Sequence, residues 1–298
     1  MEQVDTSAVA GVWREHRRWS RAAGAVKRSI VIWRGAALAA GLCGAVLATA
    51  AVQVGPGSPV GRAMALLSAV ALAVVPVVRV SRLGRDRVEA WTRVRATSEA
   101  LKAQVYLHLA GAQPYDGPDR DQRLRAVAGA VEDDVADLAG LTLTVADADT
   151  PLPAVRDGDD YAARRLRPQI DGYYRAGAAR HQRRLTRFRT AEFVVAALGA
   201  ALGAVAATTG AGGVGAWVAV VTVVGASLTA HVSAARYEHL VVSYLATARQ
   251  LRALLEGWEA TADRTPAAAG AFVRACEEAI ARENQSWLAA WTHDDEPR

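Results

Sequence analysis

Gly210, Gly212 and Gly215 reproduce the spacing G-x-G-x-x-G, which lets a backbone wrap a pyrophosphate when a strand leads in and a helix leads out. That chemistry also needs an acidic side chain about 20 residues further on, to hold a ribose hydroxyl. Here an apolar run precedes Gly210, and the first acid after it is Glu238. The glycines read as a turn. The histidines (His16, His108, His181, His231, His239 and His293) show neither H-E-x-x-H nor a Cys/His metal spacing. His231 stands beside Arg236 and His239, where two readings stay open: a pH-sensing or gating group, or a polar anchor at the end of an apolar segment. The sequence holds no recognisable Ser/His/Asp set, carboxylate pair or phosphate loop. The expectation is a protein without catalysis, cofactor or metal.

The elements that carry these residues suit a membrane better than an active site. Residues 193–230 contain no Asp, Glu, Lys or Arg. A Gly- and Thr-rich knuckle at 208–215 cuts them into two apolar runs of about 20 residues, each long enough as a helix to cross a bilayer. An earlier pair repeats the plan. Residues 35–54 are uncharged, the turn cluster Gly55-Pro56-Gly57-Ser58-Pro59 cannot continue a helix, and a shorter run follows over 63–78. That run contains Pro76, and it borrows Val60 at one end while Arg79 snorkels at the other. Residues 47–51 resemble a small-residue cleavage site, but the polar lead over 1–34 and the run behind it are longer than a signal peptide allows.

The net charge is +5, and all its cations except Lys27 and Lys102 are arginines. A pI near 9.5 would suggest nucleic acid in a soluble chain. These arginines instead flank apolar runs: Arg14 to Arg34 before the first, Arg79 to Arg87 after the second, Arg180 to Arg189 before the third. By the positive-inside rule both termini face the cytoplasm and both hairpin turns face outward, with Trp33 and Trp217 at opposite interfaces. Cys43 and Cys276 then lie in different compartments, and no disulfide is expected.

The polar segments show helical periodicity. Val9, Val12, Trp13, Trp19, Ala23, Val26 and Ile30 make one apolar stripe; Val88, Trp91, Val94, Ser98, Leu101, Val105 and Leu109 make another. A further amphipathic helix is expected over 121–138, an extended linker over 141–145, and a helix capped by Asp159 or Asp160 and kinked or restarted at Pro168. Helices over 237–258 and 270–291 complete the chain. Both halves thus run basic lead helix, hairpin, long amphipathic helix.

Within the spans, Gly199 and Gly203 form G-x-x-x-G, a candidate helix-packing face. The absence of intramembrane charge argues against an ion-coupled transporter. A conducting path would be lined by Thr49, Ser68, Thr222, Ser227, Thr229 and small residues, and its arginine-rich inner mouth would favour anions.

Certain residues carry a family likeness. Trp91, Arg95, Glu99 and Lys102, running on to Tyr106 directly after a hairpin, resemble the SLATT family of SMODS- and SLOG-associating two-transmembrane effector domains. The second half is similar to another SLATT subtype. Its matching residues are Asp160-Tyr161, Arg164-Arg165, Gln169-Ile170 and Tyr173-Tyr174-Arg175 before the hairpin, then Glu277, Ile280, Glu283 and Trp287. The resemblance implies a bacterial anti-phage or conflict effector that assembles and perforates or depolarises the membrane when a nucleotidyltransferase or nucleotide-binding sensor, made in trans, detects infection. Two hairpins in one chain depart from the usual single hairpin.

The expected fold is an all-α integral membrane protein with hairpins at about 35–54/60–80 and 192–210/214–234 and long cytoplasmic amphipathic helices. Its organisation is a SLATT-like unit over 1–112, a cytoplasmic linker over 113–159 and a second SLATT-like unit over 160–298. The expected partners are the lipid bilayer of the inner membrane, further copies of the chain and a sensor protein, with no nucleic acid. The rival expectation is a non-conducting scaffold that recruits a cytoplasmic partner.

Overall fold

A computed structural model describes residues 6–146, 151–210 and 212–292, with side chains at 6–7, 212, 234–235 and 286–292 left aside. The chain is rich in alanine, leucine and arginine, the strong helix formers, and is 87% helical with no strand among the described residues. It is an all-α membrane protein.

Helix α1 runs unbroken over Thr6–Val54, so the expected lead helix and first span are one 49-residue element. No proline interrupts it, and its scattered glycines weaken a helix without stopping it. It ends at Gly55, whose φ of 98° is left-handed. Ser58 then caps α2 (Pro59–Leu83), its Oγ accepting from Gly61 N at 2.9 Å, with Pro59 at the first helical position.

Helix α3 spans Arg85–Leu109 and α4 spans Arg120–Asp133. The helix expected over 121–138 is shorter than its apolar spacing suggested. Glu132 and Asp133 place negative charge at its C-terminus, where the helix dipole is unfavourable, and a 3₁₀ turn over Ala136–Leu141 takes over. Residues 141–145, expected to be extended, also fold into turns: Thr142 N donates to Ala139 O at 3.0 Å and Val145 N to Thr142 O at 3.3 Å.

Helix α5 (Gly158–Tyr161) is capped by Asp157, not by Asp159 or Asp160. The Asp157 carboxylate accepts from Asp160 N at 2.7 Å. π-Helical turns follow at Ala162–Leu166 and Gln169–Arg175, one on each side of Pro168, before α6 (Ala176–Thr209). Proline has no N–H and crowds the carbonyl four residues back. The wider i→i+5 turns accommodate this as a change of helical pitch around Pro168. Gly210, at φ 62°, ends α6. Helix α7 covers Gly212–Ala235, and a left-handed Arg236 (φ 47°) separates it from α8 (Tyr237–Ala260). Helix α9 (Pro266–Thr292) begins earlier than its stripe alone implied, because Thr265 Oγ1 caps Ala268 N at 3.3 Å and Pro266 takes the first position.

The helices gather into two compact units, each drawn from both halves of the sequence. One contains Arg28–Arg87 and Ala179–Val241 and holds the apolar stretches of four helices long and apolar enough to cross a membrane. Inside it, α1 and α2 approach closely at Gly44. A Cβ there would meet Leu72 Cγ at 2.7 Å, and the buried Ser68 donates its hydroxyl to Gly44 O at 2.7 Å. Gly199 faces Val221 within the α6–α7 hairpin, at 3.3 Å from an added Cβ, whereas nothing lies within 4 Å of one at Gly203. Gln53 Nε2 donates to Gly213 O at 2.8 Å, joining the two hairpins near their turns.

The other unit contains Met1–Lys27, Val88–Ala178 and Val242–Arg298. Its core assembles from the stripes anticipated by spacing. Val9, Val12, Trp13, Trp19, Ala23 and Val26 of α1, with Val94, Leu101 and Val105 of α3, are buried. Leu166, Ile170, Leu251, Leu255, Val273, Cys276 and Ile280 join them. Each such side chain contributes about 1.5–3 kcal/mol by leaving water. Aromatic rings run through this core edge to face, Trp13 to Tyr106 to Tyr161 to Phe272, and end with Trp258 stacked on Phe272 at 4.9 Å.

Candidate functional site

Arg95, Glu99, Lys102 and Tyr106 form a second stripe on α3, beside the apolar one. On the helix that starts at α5, Tyr161, Arg165, Gln169 and Tyr173 recur every four residues. An α-helix advances about 100° per residue, so steps of four drift by about 40° each. The π turns on either side of Pro168 undo that drift and hold the four on one face. Glu277 and Glu283 come from α9 and Tyr244 from α8. Three cations and three acids, with four tyrosines, meet inside one unit.

Arg165 is the hub. Its Nε donates to Glu277 Oε1 at 3.1 Å and its Nη2 to Glu277 Oε2 at 3.3 Å. Nη1 donates to Gln169 Oε1 at 2.9 Å, and the guanidinium carbon lies 4.8 Å from the centre of the Tyr106 ring. Tyr161 donates its hydroxyl to Glu277 Oε1 at 2.7 Å. Glu277 therefore accepts from a guanidinium and a phenol while almost wholly buried. Burial works against the Arg165 charge, but Glu277 and its neighbours outweigh that, and the arginine is held charged.

A second cluster adjoins. Arg95 donates to the Tyr173 hydroxyl, which lies 3.3 Å from the Tyr244 hydroxyl. Lys102 Nζ donates to Glu99 Oε2 at 3.0 Å. Burial pushes Glu99 up, yet Lys102, Arg165 and Arg95 together carry it below the usual range. Lys102 is lowered, by burial first and then by Arg165. Glu283, bonded to Tyr174, is raised, mainly by burial. The acids are thus sorted: Glu99 is held charged and Glu283 is biased towards its neutral form.

His16 of α1 belongs to the same interior. Its Nδ1 lies 2.8 Å from Ser98 O, and burial lowers its pKa to about 4 in spite of that bond. Spacing alone did not single out His16, Tyr106, Arg165 or Tyr244 as functional. The available signal was the four-residue repeat around Pro168, together with a polar stripe directly beside an apolar one.

Of the residues suggested by family likeness, Arg95, Glu99, Lys102, Tyr161, Gln169, Tyr173, Tyr174, Glu277 and Glu283 all enter this interior. Trp91 is buried on α3 under Lys27, whose Nζ is 5.6 Å from its ring. Arg175 is exposed and pairs with Asp171 at 3.2 Å. The side chain of Trp287 lies outside the described residues. Gly199 and Gly203 belong to the other unit, as described above. Among the described residues no group of three or more His, Cys, Asp or Glu comes together to hold a metal.

Residues 161–287 match the family described as SMODS and SLOG-associating 2TM effector domain 1, SLATT_1. The stretch from Tyr161 to residue 287 is similar to a SLATT domain. The match begins at the tyrosine bonded to Glu277 and takes in every residue that α5, the π turns, α8 and α9 give to the interior. Residues 17–123, which supply the α3 stripe, match a family described as protein of unknown function DUF4231. The SLATT-like stretch completes its buried charges with Arg95, Glu99 and Lys102 from this neighbouring region. No curated protein and no solved structure matches the chain.

Proposed function

We propose that the chain is a membrane effector of a bacterial conflict or anti-phage system, and that it oligomerises to permeabilise or depolarise the inner membrane when a partner sensor triggers it. The SLATT domain supports the effector reading, because effector is what its family description says. The observation that carries the membrane action is how little of the spans the protein itself covers. No more than 17% of any apolar window is buried, and in the third span none is. Leu66, Val70 and Phe193 expose 69%, 63% and 74% of their surface. Lipid or further copies of the chain cover such a surface.

The action needs no catalysis or cofactor. The positive-inside rule supports cytoplasmic termini in this reading, and the buried charges hold the resting arrangement together until the trigger acts. In this reading the conducting path forms between copies. Within one copy three of the five candidate lining groups are already engaged: Ser68 with Gly44 O, Thr222 with Val218 O at 2.9 Å, and Thr229 with Glu192 at 2.9 Å.

That same engagement favours one second reading, a non-conducting scaffold whose hairpins hold the helical unit at the membrane for a partner. The two separate in cells loaded with a membrane-potential dye. Collapse of potential on induction with the triggering genes supports the effector; unchanged potential and growth support the scaffold.

A further inference from the structure

Two surfaces of the helical unit are complementary and face opposite ways. The first is a groove of about 650 Å³ walled by Arg175, Arg249 and Arg252. Val242 and Leu245 of α8 expose 66% and 43% of their surface beside it. Asp171 pairs with Arg175 and Arg252, each at 3.2 Å, and Arg249 makes no ion pair among the described residues. The groove therefore keeps surplus positive charge over apolar walls.

The second surface is the end of α4 and the turns after it. Residues 126–155 contain no Lys or Arg. Asp133 and Asp134 are exposed and make no side-chain ion pair among the described residues, and Leu143 is 87% exposed. Asp137 is held by Arg93 of α3 through bonds of 2.8 Å.

Neighbouring residues show that these surfaces point apart. Arg93 faces Asp137, while Arg95, two residues on and about 200° round α3, reaches Tyr173 in the interior. Tyr173 faces inward, and Arg175, two residues beyond it, faces the groove. One copy cannot close its own acidic segment into its own groove. A neighbour can supply it.

We propose that the arginine groove of one copy receives the Asp133–Asp134 turn and Leu143 of the next. The carboxylates meet Arg249 and Arg252, and the leucine meets Val242 and Leu245. Such a head-to-tail contact leaves one free groove and one free acidic segment on every assembly until a ring closes. The inference rests on the self-assembly proposed above and names its interface.

The test uses full-length chains with two different tags, co-expressed in membranes, cross-linked, and captured by one tag. Wild type gives a ladder of oligomers. Arg249→Glu with Arg252→Glu, or Asp133→Arg with Asp134→Arg, lowers capture about tenfold or more, because like charges then meet. Co-expressing the two variants restores the ladder, since in alternating copies the intact segment meets the intact groove and the reversed segment meets the reversed groove. A misfolded variant would give no ladder. Carrying all four reversals in one chain restores the ladder.

An unchanged ladder in the single-surface variants overturns the interface and leaves the effector reading standing. No ladder from wild type with its triggering genes overturns both. A full ladder from the arginine variant, with lost binding to phosphatidylglycerol vesicles, reassigns the groove to lipid and also overturns the docking.

Discussion

Arg165 and Glu277 lie 112 residues apart and meet as a two-bond ion pair, with side chains only 4% and 3% exposed. They join the first turns of the SLATT-like stretch to α9, and Tyr106 from the preceding region covers the guanidinium. Burying two charges is costly, so the pair adds little net stability over well-packed apolar residues. Breaking it is another matter. Glu277→Gln leaves a buried guanidinium without its counter-charge and should lower stability by about 3–5 kcal/mol. Arg165→Met with Glu277→Met should cost much less. Thermal unfolding in detergent measures both, and a double variant as unstable as the single one would refute this view of the pair.

Acidification should loosen the same unit. His16 is held neutral, with its pKa lowered from 6.5 to about 4 by burial. The unfolded chain therefore binds a proton that the folded one refuses, and stability falls as pH drops. The contribution is complete above pH 6.5, is lost between 6.5 and about 4, and amounts to roughly 3 kcal/mol. His108, lowered by burial against the pull of Asp121, acts in the same direction. Glu283, raised by burial, opposes both, because its protonation favours the folded state. His16→Asn keeps a donor near Ser98 O without a titrating ring. Its melting temperature should vary less steeply across that window than wild type; an equal slope would clear His16.

Two glycines in the spans should behave differently. Gly44→Leu collides with Leu72 and Ser68 O and should disrupt the first hairpin, seen as loss of membrane-inserted protein. At Gly203 an added Cβ meets nothing within 4 Å, so insertion and melting of Gly203→Leu should match wild type within about 0.5 kcal/mol. Any loss of oligomers in Gly203→Leu then reports packing between copies. Gly199 is a poorer probe, because Val221 already occupies its neighbourhood.

The spans and the apolar stripes were legible in the sequence because both follow from simple periods: long uncharged runs, and hydrophobes every three or four residues. Trp19, Val94 and Leu101 are buried as that spacing implied. Helix ends were less legible. Asp157, Asp159 and Asp160 are chemically equivalent as caps, and only backbone geometry chooses among them. The interior charges were hardest to place. Arg165 and Lys102 look like solvated surface residues in a linear reading, since the acids that allow their burial lie elsewhere in the chain or on the same turn. The π turns that align Tyr161 with Tyr173 were signalled only by Pro168, which by itself predicts a break.

The most direct measurement is membrane potential, followed by dye in single cells after induction of the wild-type chain with its triggering genes. The expected result is depolarisation within minutes of triggering, abolished by the charge reversals at Arg249 and Arg252 and restored when Asp133 and Asp134 are reversed as well. Sustained potential in every strain, with the protein folded and in the membrane, would contradict the permeabilising effector.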